Sequence, residues 1–361
     1  MIALIAAFPP PISGQSLAAS LLREGLRGAG VEYRELDLSE PIGGEGLFRR
    51  LMHLACVEGR LIVLCIRHRD LVVYLQLGHG KMALIRDMVF MATAAAFGKK
   101  CVGHVHGSGF RKAFEMLPKP LRFVEHRLLS RLSAAVVLCE SLREMFIGLM
   151  PDERIWAVDN GIDPEFVAMT GGDRAYTDRF RVLFLSNFLS AKGFGELLRA
   201  AVMAREAGKP WEFVFVGAKV ADQDIDIDAF VSDYNLDNVK VCGVVEGESK
   251  HRAYCEADVF VLPSSYEGQP LCILEAMFEG LPVITTRVGG IPDIFKTDAR
   301  GVRFVEVGDA CGIFKALEVL SMDSALRREM GESNRAVALS RFTAQKHVEK
   351  MLSLLKPIKE L

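Results

Sequence analysis

Two carboxylates eight positions apart, Glu267 and Glu275, lie in the run Val259-Phe-Val-Leu-Pro-Ser-Ser-Tyr-Glu267-Gly-Gln-Pro-Leu-Cys-Ile-Leu-Glu275-Ala-Met. The pattern predicts a buried strand ending at Pro263, a polar loop with Glu267 at its tip, and a helix starting near Pro270. Proline suits a first helical turn because it has no N–H to leave unpaired. The remaining unpaired N–H groups of that turn, at the positive end of the helix dipole, suit a diphosphate. Glu275, one to two turns further in, is placed to accept hydrogen bonds from ribose hydroxyls. The two carboxylates can therefore face the sugar and the ribose of one nucleotide. A bare pair at this spacing is more often an ordinary loop glutamate and a solvated helix glutamate, so the surroundings decide its meaning.

Three other groups bear on that chemistry. Lys192 precedes Gly193-Phe194 at the mouth of a helix, where a phosphate would sit. His104 and His106 follow a strand and point the same way. With no third ligand spaced beside them, a metal site is not expected there. His104 reads as structural, and His106, at the strand end before Gly107, as a cleft residue. The run Asp222-Gln-Asp224-Ile-Asp226-Ile-Asp228 contains D-x-D triplets that could hold a divalent ion. Its place after Phe213–Gly217 and before a helical stretch favours a solvated loop and helix start. A G-x-G-x-x-G fingerprint is absent, since Leu26-Arg-Gly28-Ala-Gly30 follows the first helix, which argues against a nicotinamide dehydrogenase.

Short apolar runs alternating with helical patterns must position these groups. Candidate strands are Ile2–Ala7, Leu61–Ile66, Leu71–Leu77, Cys101–Val105, Ala134–Leu138 and Arg154–Val158, then Val182–Ser186, Glu212–Val216, Val239–Cys242, Val259–Leu262, Val283–Thr285 and Val302–Val305. Helical patterns include Leu17–Gly28, Met82–Phe97, Phe123–Leu132 and Phe194–Ala207. Continuous apolar strands joined by helices indicate parallel sheets covered on both faces, with binding sites beyond the strands' carboxyl ends. The pattern lapses around Met169–Tyr176, which places a linker near residues 165–180. The expected domains are residues 1–168 and 169–340, with a C-terminal helix at about 341–361 packing back on the first.

A chain of 361 residues, half of them hydrophobic, has room for two such cores. A net charge of −2 gives no global pointer to nucleic acid. The eight cysteines are scattered without a C-x-x-C pair and read as reduced core thiols of a cytosolic protein. Met1–Phe8 lacks a basic flank and reads as a first strand rather than a signal peptide. Lys81, Arg86 and Asp87 interrupt the most apolar long stretch, Leu71–Phe97, so no transmembrane span is expected.

The run from Asp258 through Met277, followed by Gly280-Leu-Pro-Val-Ile-Thr-Thr and Val288-Gly-Gly-Ile-Pro-Asp, closely resembles the retaining glycosyltransferases of family 4. Looser matches are Pro11-Ile-Ser-Gly14-Gln, His104-Val-His106-Gly107, Asn160-Gly-Ile-Asp163 and Ser186-Asn187-Phe-Leu-Ser-Ala-Lys192-Gly193. The resemblance implies an α/β GT-B fold, two Rossmann-like domains facing each other across a cleft. It implies that Glu275 binds the ribose, that Glu267 and the backbone of Gly268, Gln269, Pro270 and Leu271 hold the donor sugar and distal phosphate, and that Lys192 neutralises the diphosphate. Gly14 would let the first loop approach the phosphates, His106 would sit over the sugar, and backbone near Gly243 and Val244 would meet the base. Among these, His106, Glu267 and Lys192 are the candidate catalytic residues. The family commonly carries Arg where this chain has Asn187, which donates a hydrogen bond but no charge.

The resemblance also implies a nucleotide-diphosphate-sugar donor, a glycan or lipid-linked acceptor in cell-surface polysaccharide or lipopolysaccharide synthesis, retention of anomeric configuration, and neither cofactor nor catalytic metal. A nucleotide-sugar epimerase of the same fold and a non-catalytic nucleotide-sugar-binding subunit are the alternatives. The segment Phe110–Leu132 carries six cations and an apolar stripe (Phe110, Phe114, Leu117, Leu121, Val124, Leu128, Leu132), and only Glu115 and Glu125 oppose its charge. Such a segment either lies on an anionic cytoplasmic membrane face or packs inward with its charges solvated.

Overall fold

The computed structural model describes residues 1–10, 13–39, 46–170, 179–220 and 225–360. Half of the expected linker, at 171–178, lies outside these residues, as do Pro11, Ile12, Asp222 and Asp224. The chain divides into two compact units, Met1–Gly161 with Ala344–Leu361, and Ile162–Thr343. The first boundary thus falls at 161/162 rather than 168/169, and the return at 343/344 rather than about 341.

The first unit is built on a parallel sheet of β1 (Ile2–Ala6), β2 (Tyr33–Asp37), β3 (Val72–Leu77), β4 (Lys100–Val105), β5 (Ala134–Val137) and β6 (Ile155–Ala157), in the order β2-β1-β3-β4-β5-β6. Alternation along β1 explains its continuous apolar sequence. Ile2, Leu4 and Ala6 enter one core with Leu22 and Leu26, whereas Ala3 and Ile5 enter another with Leu61, Cys65 and Leu84. The helix Ala344–Glu360 closes the first of these cores with Met351, Leu354 and Leu355. It lies so close to the helix Gly14–Gly28 that a Cβ on Gly25 would meet Val348 at 2.4 Å.

Two expectations for this unit are corrected. Leu61–Ile66 is not a strand but part of the helix Leu47–Arg67, whose buried residues Val57, Leu61 and Cys65 recur at helical spacing. Tyr33–Asp37, not expected as a strand, pairs in parallel with β1 at the sheet edge. Only Leu36 in it is buried. An edge strand contacts the core on one side only, so its composition lacks the apolar run that marks the central strands.

The second unit carries β7 (Phe180–Leu185), β8 (Trp211–Val216), β9 (Val239–Cys242), β10 (Val259–Leu262), β11 (Val283–Thr286) and β12 (Val302–Val305), again all parallel, in the order β12-β11-β10-β7-β8-β9. From β7 the chain builds outward in one direction through β8 and β9, then crosses to the other side of β7 for β10 to β12. Each unit is therefore a doubly wound, Rossmann-like layer structure. Among the described residues, no helix is long and apolar enough to cross a membrane.

Candidate active site

In an open parallel sheet the loops after the two strands flanking the reversal of strand order splay apart and leave a crevice. In the second unit those strands are β7 and β10. Lys192 follows β7 and Glu267 follows β10, so two residues far apart in sequence share one crevice. Gly193 makes the approach possible. Its φ is +75°, and a Cβ there would stand 2.2 Å from the Pro263 carbonyl oxygen. A side chain would be excluded both by conformation and by space.

Across this contact Lys192 Nζ donates to Glu267 Oε1 at 2.7 Å. Ser264 Oγ donates to the same oxygen at 2.9 Å. Glu267 is buried and Lys192 partly so. The second carboxylate, Glu275, lies in the helix Leu271–Phe278 and is also buried. Tyr254 Oη donates to its Oε2 at 2.8 Å, and Lys250 Nζ donates to its Oε1 at 2.5 Å. Burial and the adjoining Glu275 charge hold the Tyr254 hydroxyl well above the usual phenol range, so it stays a donor. A carboxylate has about four acceptor positions. Glu275 therefore retains positions for further donors while its orientation is fixed.

Lys250 and Tyr254 are the functional candidates that sequence reasoning missed. They stand one turn apart on the helix Gly247–Cys255, a segment without an apolar run. The available signal was their helical spacing just before the strand that leads to Glu267.

The remaining expected residues of this unit line the same sheet end. Asn187 is exposed, and its Oδ1 accepts from the Ala218 N–H at 3.3 Å, which ties the loops after β7 and β8 together. Gly243 and Val244 follow β9 and are exposed. The Gly217 N–H reaches the Gly243 carbonyl at 3.3 Å. Pro270 is the N-cap of the Leu271–Phe278 helix rather than its first residue. Gly268 is held by the Gly290 N–H, which donates to its carbonyl at 2.9 Å, and Gln269 is buried. Burial pushes the Cys272 thiol up to about 12, aided by the nearby Glu267 charge, so it remains a thiol at neutral pH. In the D-x-D stretch, Asp226 caps the helix Ile227–Asp233 by accepting from the Asp228 and Ala229 N–H groups. Asp228 pairs with Lys219.

In the first unit, Gly14 opens the Gly14–Gly28 helix behind the N-cap Ser13. His104 and His106 project on one side of the strand end with ring centroids 4.0 Å apart. His104 is buried and shares a 2.6 Å hydrogen bond through Nδ1 with Tyr74 Oη, as a structural histidine should. Both ring nitrogens of His106 are buried and lack a hydrogen-bond partner among the described residues, although the residue as a whole is half-buried. Burial lowers its pKa to about 3, with neighbouring His347 and His79 adding to the shift. At neutral pH it is an uncharged ring with hydrogen-bonding capacity to spare.

The basic segment is mostly built inward. Phe110, Phe114, Leu117, Leu128 and Leu132 belong to the unit's core, while Met116, Phe123 and Val124 stay exposed. Arg111 pairs with Glu115 at 2.7 Å, and Lys112, Lys119 and Arg127 are exposed. Glu125 does not oppose them, because it is fully buried.

Residues 179–323 match the profile of the family described as Glycosyl transferases group 1. Among curated relatives, the amylovoran biosynthesis glycosyltransferase AmsK of Erwinia amylovora is 30% identical over 182 residues, covering 48% of this chain and 44% of that protein. The lipopolysaccharide core biosynthesis glycosyltransferase LpsE of Rhizobium meliloti is 28% identical over 176 residues, 48% of this chain and 49% of its own. The chain thus spans less than half the length of these relatives. Among solved structures, sucrose-phosphate synthase from Thermosynechococcus elongatus superposes with a TM-score of 0.77 at 18% identity, covering 99% of this chain and 98% of that one. Anabaena HepE in complex with UDP and glucose gives 0.72 at 16% identity, covering 98% and 99%. These likenesses establish the fold as GT-B.

Proposed function

On the premise that residues 179–323 are a group 1 glycosyl transferase segment, we propose that this chain is a retaining glycosyltransferase moving a sugar from a nucleoside-diphosphate sugar to a glycan or lipid-linked acceptor. The observation that carries the proposal is the Lys192–Glu267 contact in the β7/β10 crevice, with Glu275 held buried on the helix that follows. Support for an acceptor in cell-surface polysaccharide synthesis comes from the names of AmsK and LpsE.

In this reading the donor diphosphate takes Lys192 from Glu267. The ammonium and the start of the Leu271–Phe278 helix stabilise the charge that develops as the nucleotide leaves. Glu267, released, accepts hydrogen bonds from the sugar hydroxyls, and Glu275 accepts them from the ribose. Neutral His106 is proposed as a hydrogen-bonding group for the sugar, and Gly14 for close backbone approach to phosphate. Gly243 and Val244 offer backbone to the base. Asn187 spends its carbonyl oxygen on Ala218, which leaves its amide N–H groups for phosphate oxygens. The departing phosphate takes the acceptor proton on the same face, which retains configuration without a second carboxylate opposite Glu267.

The test is calorimetric titration with nucleoside diphosphates, followed by turnover of a donor panel with and without glycan and lipid-linked acceptors. Losing a hydrogen bond to a charged group costs about 1.5–3 kcal/mol. Glu275→Ala and Lys192→Ala are each expected to weaken binding at least about tenfold with the fold intact. Unchanged affinity removes that residue from the site. An altered nucleotide sugar released without acceptor would instead indicate an epimerase, and binding without any turnover a non-catalytic subunit.

No divalent ion is assigned to the diphosphate. Activity is expected to survive EDTA, and Asp226→Asn to be silent because asparagine caps a helix as well as aspartate does. Loss of turnover in chelator that manganese restores would overturn this.

Peripheral contact with an anionic cytoplasmic membrane surface is proposed for the segment 116–127, which exposes Met116, Phe123 and Val124 together with Lys119 and Arg127. Each cation near such a surface contributes about 1 kcal/mol. Co-sedimentation with anionic vesicles is expected, weakened by salt and by Phe123→Ser with Lys119→Ser. Equal recovery in the supernatant with and without vesicles would dismiss it.

A further inference from the structure

The helix Gly247–Cys255 presents two one-turn pairs to the helix Leu271–Phe278 and its end. Lys250 and Tyr254 meet Glu275, as described above. One position along, His251 and Cys255 meet Glu279, the residue that closes the Leu271–Phe278 helix. His251 Nε2 lies 2.8 Å from Glu279 Oε1 and 3.3 Å from Cys255 Sγ, and Cys255 Sγ lies 3.6 Å from Glu279 Oε2. Bonds of about 2.0–2.3 Å to zinc at tetrahedral angles set neighbouring ligand atoms roughly 3.3–3.6 Å apart. The nitrogen, the sulfur and the two oxygens of the Glu279 carboxylate thus converge, with the Cys255 contacts at coordination spacing and the His251–Glu279 contact about half an ångström shorter, a gap that a bound ion would open.

We propose that His251, Cys255 and Glu279 bind a thiophilic divalent cation, zinc foremost, with the fourth position taken by water. A thiolate, an imidazole and a carboxylate together favour zinc over the hard cations magnesium and calcium, which take oxygen ligands. Glu279 is almost fully buried and His251 is largely so, with Phe166 edge-on to the imidazole at 6.0 Å. Binding is a simple exchange. Cys255 enters as the thiolate and releases its proton to solvent, His251 coordinates through Nε2 in its neutral form, and no electron moves.

Scattered cysteines without a C-x-x-C pair gave no sign of such a site. The spacing that matters is His251-x-x-x-Cys255, which places two ligands on one helical face. Its third member joins only through the packing of two helices. The bound ion would fasten those helices together one turn from Glu275, adding to their stability without touching the diphosphate or the Lys250 and Tyr254 contacts that orient the carboxylate.

The test uses the full chain with any purification tag removed, thiols reduced by a phosphine, and metal stripped before titration with Co2+ and then Zn2+. The expected result is one Co2+ per chain, with thiolate-to-cobalt charge-transfer absorption and tetrahedral ligand-field bands that Zn2+ abolishes. Cys255→Ser is expected to lose the charge-transfer band, and both it and Glu279→Gln to bind Zn2+ at least about tenfold more weakly. His251→Asn serves as a further variant should either fail a circular-dichroism check of folding. An identical band in wild type and Cys255→Ser, arising from exposed Cys56 or Cys311, overturns the site, as does the absence of any band. The measurement contains no nucleotide, so its outcome is independent of the glycosyltransferase reading.

Discussion

Glu275 is buried with two of its acceptor positions already committed, to Lys250 and to Tyr254, and this makes those two residues testable apart from the carboxylate itself. Tyr254→Phe keeps the ring against Phe166 and Phe260 and removes only the donor. A neutral hydrogen bond contributes about 0.5–1.5 kcal/mol, so nucleoside diphosphate binding should weaken about two- to tenfold by calorimetry, less than in Glu275→Ala. No change would mean that the carboxylate is fixed without the phenol. Glu125 offers a different residue-scale test. Burial, with the nearby Asp87 charge, pushes its carboxyl up to about 8. The folded protein then keeps a proton that the unfolded chain loses above about pH 4.5, so this group lowers stability progressively as pH rises from about 4.5 to about 8. Glu125→Gln should remove that slope and raise stability at pH 8, on the order of 4 kcal/mol, with little effect near pH 4.5. A variant whose melting retains the wild-type pH slope would clear Glu125 of that role. At this scale the candidate carboxylates and Lys192 were legible because their motif types and positions carry chemistry. Tyr254 and Lys250 were not, because their meaning lies in a contact between two helices.

Gly193 shows how much of the site is decided by an element junction. Its left-handed φ and the Pro263 carbonyl at 2.2 Å together leave no room for a methyl group. Gly193→Ala should cost about 1–3 kcal/mol of stability and part the loops after β7 and β10. Donor binding should then fall with Lys192 itself unchanged, as nucleotide titration beside thermal melting would show. Wild-type affinity in that variant would mean that the loop tolerates a different path. The central strands were readable because burial on both faces leaves an unbroken apolar run. The two misreadings come from the limits of that same signal. Tyr33–Asp37 is an edge strand with charged residues and shows no run. Leu61–Ile66 has the run but belongs to a long helix, and a short apolar stretch is compatible with either structure until its neighbours Val57 and Cys65 reveal the four-residue recurrence.

At the scale of the whole molecule, the first unit is discontinuous in sequence. Met351, Leu354 and Leu355 complete a core otherwise made by residues from the first part of the chain. Burying such a side chain contributes about 1.5–3 kcal/mol, so truncation after Thr343 should abolish or sharply lower the first unit's thermal transition while leaving that of the second. Calorimetry of the truncated chain checks this, and two unaltered transitions would show the helix to be an accessory. The α/β architecture of two sheet-centred units was expected from strand and helix alternation, and the return of the last helix from its position after the second set of strands. The exact crossing at 343/344 was not, because it depends on Gly161, where a Cβ would stand 2.8 Å from the Ala344 Cα, a proximity that no local pattern encodes. The returning helix also sets an order on biosynthesis. A ribosome delivers the first unit's strands early, but the residues that cover Leu22 and Leu26 leave the exit tunnel only after the entire second unit has emerged. The nascent amino-terminal half must therefore wait with an uncovered face, while the later-made half can fold first. Arrested chains that hold residues 344–360 inside the exit tunnel, and chains extended at the carboxyl end so that those residues have emerged, should differ in protease resistance within residues 1–161 and not within 179–343.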